Sequence, residues 1–159
     1  MAQRICLFPG TFDPITKGHT DIIDRALDLF DSLIIGIGIN SSKQPMFSIE
    51  QRIEWIERIY KNEPKIKVIA YEGLTIDCCK NNNAQFILRG IRYINDFEYE
   101  KAIADMNRML APEVETVFLT CTPLYSTISS TLVRDVIRNN GNVHQFIPEA
   151  IVQDFKTSS

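Results

Sequence analysis

Residues able to meet a phosphate recur in four stretches of the sequence. The first, Pro9-Gly10-Thr11-Phe12-Asp13-Pro14-Ile15-Thr16-Lys17-Gly18-His19, is a glycine-containing loop that runs into a helix start. Unpaired backbone N–H groups and the positive end of the helix dipole favour an anion there, and Gly18 removes a side chain that would block close approach. His19 then stands in the first turn, where it can donate a hydrogen bond to a phosphoryl oxygen; a helix-start residue bonded to a carbonyl or water is the plainer reading. The second stretch, Asn40-Ser41-Ser42-Lys43-Gln44-Pro45, is a polar turn with one lysine, either a point charge for phosphate or a solvated surface cation. The third, Arg89-Gly90-Ile91-Arg92, sets two like charges three residues apart, which repel unless an anion lies between them or Asp96, Glu98 or Glu100 pairs with them. The fourth, Tyr125-Ser126-Thr127-Ile128-Ser129-Ser130-Thr131, is a row of hydroxyls leading into a helix, with Arg134 one turn on. Hydroxyls at a helix start often only cap it; joined by backbone donors and an arginine they also suit a triphosphate. Taken together, the four favour a nucleotide enzyme.

The elements that must position these loops follow from hydrophobic spacing. Residues 4–8 form an apolar run stopped by Pro9-Gly10, and residues 19–30 carry apolar positions at helical spacing with charged residues between them. Residues 33–39 are apolar at nearly every position, as in a strand covered on both faces of a parallel sheet. Ser48-Ile49-Glu50-Gln51 has capping-box spacing and opens a helix to about residue 60, followed by a strand over 66–70. A helix over 74–82, a strand over 86–88, a helix over 97–110 capped by Asp96 and a strand over 114–120 come next. Ser129 or Ser130 begins a helix ending at Asn140-Gly141, and Pro148 starts a last one. The expected class is α/β, a doubly wound, parallel, five-stranded sheet with helices on both faces. Such sheets bind ligands beyond the carboxyl ends of their strands, where all four phosphate-compatible loops fall.

Composition narrows the choices. With 17 Lys+Arg against 20 Asp+Glu the net charge is −3, so no general positive field exists to hold nucleic acid or an anionic membrane. The longest strongly apolar stretch is 33–39, far short of a bilayer span, and Met1-Ala2-Gln3-Arg4 does not lead into a signal-type segment. A cytoplasmic protein is expected, as one domain over 1–159. Cys6, Cys78, Cys79 and Cys121 show no C-x-x-C spacing, and His19 and His144 lie far from them, so all four read as reduced thiols without a metal.

Pro9-Gly10-Thr11-Phe12-Asp13-Pro14 with Thr16-x-Gly18-His19, Ser42-Lys43-x-Pro45-Met46-Phe47, Arg89-Gly90-Ile91-Arg92, Asp96-Phe97-Glu98-Tyr99-Glu100, Met106-Asn107-Arg108 and Ile128-Ser129-Ser130-Thr131-Leu132-Val133-Arg134 closely resemble the bacterial phosphopantetheine adenylyltransferases, from about residue 4 to about residue 148. The T-x-G-H and I-S-S-T-x-x-R strings are shared with the wider nucleotidyltransferase superfamily, whereas the arginine pair followed by Asp96 to Glu100 points to this member. The resemblance implies a Rossmann-like domain that transfers AMP from ATP to 4′-phosphopantetheine, giving dephospho-coenzyme A and pyrophosphate, the penultimate step of coenzyme A synthesis. It implies that His19 stabilises the transition state, aided by Lys43 and Arg92. By position, Thr11, Phe12, His19, Gly90, Ile91, Arg92, Glu100 and the run Tyr125, Ser126, Thr127, Ile128, Ser129, Ser130 and Thr131 would bind ATP. Thr11, Lys43, Thr75 and Arg89 would contact phosphopantetheine. Magnesium as cofactor and a homohexamer are implied as well, with dephospho-coenzyme A or coenzyme A as further ligands. Thr75 stands where many relatives carry an apolar residue, and the aromatic at Tyr125 varies among them.

The chemistry agrees with the residues present. A phosphate monoester, with a second pKa of about 6, is already a nucleophile near neutrality, so in-line attack needs no strong base and no covalent intermediate. It needs two anions aligned and the developing charge stabilised. No Asp/Glu cluster reads as a metal cage, so magnesium would ride on the triphosphate. The nearest rivals are an adenylyltransferase acting on nicotinamide or nicotinate mononucleotide and a non-catalytic nucleotide-binding module. Lys43→Ala should raise KM for phosphopantetheine more than it weakens pyrophosphate binding; steady-state kinetics with an unchanged phosphopantetheine KM would refute the placement of Lys43.

Overall fold

In the computed structural model, residues 3–40 and 44–155 are described. Five parallel strands, β1 (Ile5–Gly10), β2 (Ser32–Gly38), β3 (Ile66–Tyr71), β4 (Phe86–Ile91) and β5 (Glu115–Thr120), lie in the order β3-β2-β1-β4-β5. Helices α1 (Lys17–Ala26), α2 (Ile49–Ile59), α3 (Thr75–Asn81), α4 (Ile94–Leu110) and α5 (Ser130–Arg138) connect or follow them, with 3₁₀ segments at Pro123–Tyr125 and Glu149–Phe155. The expected α/β class and the helices on both faces are observed.

Strand pleating sorts the core into two layers. Cys6, Phe8, Leu33, Ile35 and Leu88 face one side with Ile22, Ile23 and Ala26 of α1 and Ile56 of α2. Leu7, Ile34 and Ile87 face the other with Ile76, Cys78 and Cys79 of α3. Successive strand residues point to opposite faces, so an apolar run without polar interruption is what a doubly covered strand requires. The chain leaves β1 toward β2 and β3, then returns to the far side of β1 at β4. β1 is in register with β2 along its length, Ile5 to Gly10, but with β4 only at Cys6↔Phe86 and Leu7↔Ile87. Above those pairs the two central strands part, and the crevice opens at the reversal of strand order, where α/β sheets bind ligands.

Several boundaries differ from the sequence expectation. The first helix ends at Ala26, and Leu29 and Phe30 turn back onto its carbonyl; Phe30 still enters the core. β4 runs to Ile91 because Arg89, Gly90 and Ile91 find ladder partners in Phe118, Leu119 and Thr120. α4 begins at Ile94, so Asp96 sits inside the first turn and is not its N-cap; its carboxylate is taken by Arg92. Ser48 caps α2 and exchanges hydrogen bonds with Gln51 as expected. The segment after Pro148 is a 3₁₀ helix, held to α2 by Trp55 Nε1 donating to Asp154 Oδ2 at 2.6 Å. Among the described residues the four cysteines are unbridged, and no helix is long and apolar enough to cross a membrane.

Ile23, fully buried in α1 beneath the site, should cost about 2–5 kcal/mol when cut to Ala, through lost transfer energy and the cavity left behind. Urea unfolding checks this as a lower midpoint at unchanged slope.

Candidate active site

The crevice holds a cavity of about 880 Å³ lined by Gly10, Thr11, Asp13, His19, Arg89, Gly90, Arg92 and Ser129 to Thr131, among others. The loop from β1 to α1 forms its floor. Phe12 adopts a left-handed φ of 48°, and its ring, 2% exposed, packs edge-on against Phe8 and His19 at 5.5 and 5.0 Å between centroids. Gly10 permits this, because a β-carbon there would lie 2.9 Å from the Phe12 ring. Phe12 therefore backs the histidine with a largely buried ring and is itself one of the residues lining the cavity.

His19 occupies the third position of α1, where it replaces the usual Glu or Gln of a capping box. Its Nδ1 accepts the backbone N–H of Thr16 at 3.0 Å, with Thr16 Oγ1 at 3.1 Å. A backbone N–H can only donate, so Nδ1 carries no proton and the neutral ring keeps its hydrogen on Nε2, the nitrogen left for a ligand. Burial, then the charges of Arg92 and Arg89, push the ring pKa down to about 4. The histidine is a neutral donor, aimed by its own helix cap.

Two buried charges brace this loop. Asp13, 2% exposed, accepts the backbone N–H groups of Met46 and Phe47 at 2.8 and 2.9 Å, tying down the segment that follows β2. Arg52 of α2, 4% exposed, donates to the Thr11 carbonyl at 2.8 Å and the Ser48 carbonyl at 3.3 Å. Neither was identified from sequence. For Arg52 a signal existed, since 52, 55, 56 and 59 share one helical face, and a charge on that otherwise apolar stripe needs internal partners.

The two arginines at the end of β4, Arg89 within it and Arg92 just after it, are paired, the alternative their spacing left open. Arg89 grips Glu100 with two hydrogen bonds, 2.7 and 2.6 Å, and donates through Nη1 to the Pro9 carbonyl at 2.9 Å, across the parted strands. Arg92 holds Asp96 at 3.1 Å. Glu100 thus reaches the cavity as the partner of Arg89. Ile91 is 8% exposed and is not among the residues lining this cavity, and its carbonyl accepts the Cys121 N–H.

Of the hydroxyl row, Ile128, Ser129, Ser130 and Thr131 line the cavity, whereas Tyr125, Ser126 and Thr127 do not. Tyr125 lies in a 3₁₀ turn, and the Ser126 hydroxyl donates back to the Pro123 carbonyl at 3.0 Å. Ser129 caps α5, and Ser130 donates to the Pro14 carbonyl at 2.7 Å, so both hydroxyls serve the fold first. Arg134 donates to the Asp13 carbonyl at 2.7 Å. Arg138, one turn on and also lining the cavity, was not singled out from sequence. Lys43 lies outside the described residues, although Gln44 and Pro45 beside it reach the cavity wall.

A second cavity of about 530 Å³ shares Pro9, Gly10, Thr11, Arg89 and Glu100 with the first. It runs between Tyr71 and Thr75, hydrogen-bonded to each other at 3.0 Å, and Ile103, Ala104 and Asn107 of α4.

A cytidylyltransferase-like family model matches residues 7–136. The chain is 54% identical to the phosphopantetheine adenylyltransferase of Flavobacterium psychrophilum over 94% of its own length and 98% of that protein. It is 53% identical to that of Flavobacterium johnsoniae over 94% and 97%. The chain belongs to the phosphopantetheine adenylyltransferase family. A bifunctional NMN adenylyltransferase/ADP ribose pyrophosphatase from Francisella tularensis shares the fold at TM-score 0.71 and 20% identity; the match covers 92% of this chain and 45% of that one.

The carboxylates of this adenylyltransferase cavity do not suit a resident metal. Asp13, Asp96 and Glu100 are each committed to backbone N–H groups or a guanidinium, and among the described residues no group of three metal-binding side chains converges.

In the free protein the His19 ring should show no titration between pH 8 and 5.5 by NMR. The unfolded ring binds a proton near 6.5 and the folded one near 4. The stabilisation is therefore complete above 6.5 and is lost as pH falls toward 4. A ring that titrates near 6.5 in the native protein would refute this account.

Proposed function

We propose that the chain transfers the adenylyl group of ATP to 4′-phosphopantetheine. A phosphate oxygen of the acceptor attacks the α-phosphorus of ATP, a new P–O bond forms, the bond to the β-phosphate oxygen breaks, and pyrophosphate leaves with that oxygen. Dephospho-coenzyme A is the second product. No enzyme-bound intermediate is required, and the family to which the chain belongs carries this name.

The observation that carries this reading is the junction of two cavities at Pro9 to Thr11 and Arg89. The larger, with His19, Gly90, Arg92, Ser129 to Thr131 and Arg134, has the donors and cations a triphosphate requires. The narrower groove past Thr75 suits an elongated amide chain, and phosphate at its head would arrive beside Arg89, with Lys43 from the loop after β2. In-line displacement then takes place where the cavities meet. His19 donates from Nε2 to a non-bridging oxygen whose charge grows in the transition state, and because the ring is neutral beforehand it does not have to shed a proton. ATP enters as its magnesium complex, the metal arriving as part of the substrate.

Self-association fits α4, a helix of 17 residues none of which is buried. Ile94, Tyr99, Met106 and Met109 are exposed along it, more apolar surface than a lone subunit usually leaves in water. A homohexamer covering this face, in the cytoplasm, is the assembly proposed.

Mass analysis after incubation with magnesium, ATP and phosphopantetheine should find dephospho-coenzyme A. Nicotinamide mononucleotide offered separately should release no pyrophosphate, and the reverse outcome would overturn the acceptor assignment. His19→Ala should lower kcat by on the order of 10²-fold with ATP binding changed less, as for loss of one transition-state donor. Equal loss of ATP affinity and rate would remove His19 from that role.

A further inference from the structure

We propose that Asp96 is a positioning residue for the adenylyl transfer, fixing the Arg92 guanidinium over the nucleotide cavity beside His19. This inference rests on the function proposed above and adds a residue to it.

The geometry is specific. One oxygen of Asp96, Oδ2, accepts both the backbone N–H and the Nε–H of Arg92, each at 3.1 Å. The other, Oδ1, accepts from Nη2 at 3.4 Å. Main chain and side chain of the arginine are thus clamped to one carboxylate, which limits the rotation of a long side chain otherwise only partly covered. The clamp occupies the Nε and Nη2 edge of the fork and leaves Nη1 for a ligand. Asp96, Arg92 and His19 all line the same cavity.

Asp96 is not the N-cap of α4, although its carboxylate also interacts with the backbone N–H of Tyr93, the residue that is. α4 begins two residues earlier at Ile94, after Tyr93. Arg92 also stands over the Tyr93 ring, 5.9 Å from its centroid, while it holds Asp96. The carboxylate is the charged partner of the guanidinium. Its cost is partial neutralisation of a cation in a phosphate site, so the gain must lie in where the charge is held. Arg92 is also one of the charges that lower the pKa of His19, which links the arginine's position to a measurable property of a second residue. Around that ring stand Thr16 and Phe12 from the β1–α1 segment, Arg89 from β4 and Arg92 just after it.

Asp96→Asn keeps the side-chain size and removes the charge. We expect kcat to fall about tenfold with KM for ATP changed less than threefold, because Arg92 remains a cation but loses its fixed place. The His19 ring should titrate at higher pH than in the parent, as Arg92 moves away. Asp96→Glu, which restores a carboxylate, should recover most of the rate and return the His19 titration toward the parent. Unchanged kcat and unchanged His19 titration in an Asp96→Asn protein with parental melting temperature overturn the proposal. Early melting with equal losses of rate and ATP affinity, not recovered by Glu, also overturns it and marks a purely structural role. If the unmodified protein makes no dephospho-coenzyme A while the His19 titration still answers to Asp96→Asn, the functional reading fails and the positioning of Arg92 stands.

Discussion

The parting of β1 from β4 is the constraint on which the rest of the site depends. Two adjacent parallel strands would ordinarily continue their ladder to their ends, satisfying every backbone group on the way. Here the ladder stops at Leu7 and Ile87, and the carbonyl of Pro9, deprived of a strand partner, is met by the Arg89 guanidinium. One side chain thus substitutes for a missing rung and brings a cation to the floor of the crevice. The same opening gives the two cavities their common wall, so the geometry that separates the strands also joins the proposed donor and acceptor pockets.

Charge in the crevice is held in place by being shared. Arg89 and Arg92 each face a carboxylate from α4, and Arg134 is anchored on the main-chain carbonyl of Asp13. Three unpaired guanidinium groups in a concave, partly dry space would repel one another and wander. Pairing lowers the net field but fixes the directions from which donors approach. His19 completes the arrangement without adding a positive charge, because burial, then the neighbouring arginines, and its cap bond to Thr16 all oppose protonation.

Much of this was legible in the sequence. Alternating apolar runs and helical stripes located all five strands, and the Ser48 box was correct to the residue. The phosphate-compatible loops did fall at one edge. What local patterns could not supply was orientation. Phe12 turns inward because a left-handed backbone beside Gly10 allows it, and Ile91 points into the core because of the pleat of a strand whose upper half is recognisable only from its pairing with β5. Tyr125 to Thr127 stop short of the cavity because a 3₁₀ turn intervenes. Asp13 escaped notice because its partners are backbone groups more than thirty positions away, and the long-range partner of Arg52, the Thr11 carbonyl, was hidden in the same way even though its place on an apolar helix stripe marked it. Non-local hydrogen bonds to main chain leave no trace in spacing.

The segment after β2 is tied at one side to Asp13 and rests at the other on aromatic rings, with Phe47 packed against Trp55 at 4.8 Å and Phe155 at 5.5 Å. Trp55 is the sole tryptophan in the chain. Its indole is shielded from water and hydrogen-bonded to Asp154, so the protein carries one built-in indole fluorophore against Phe47. Emission colour and quenching of that single indole report on the seating of Met46 and Phe47 on Asp13 without any label.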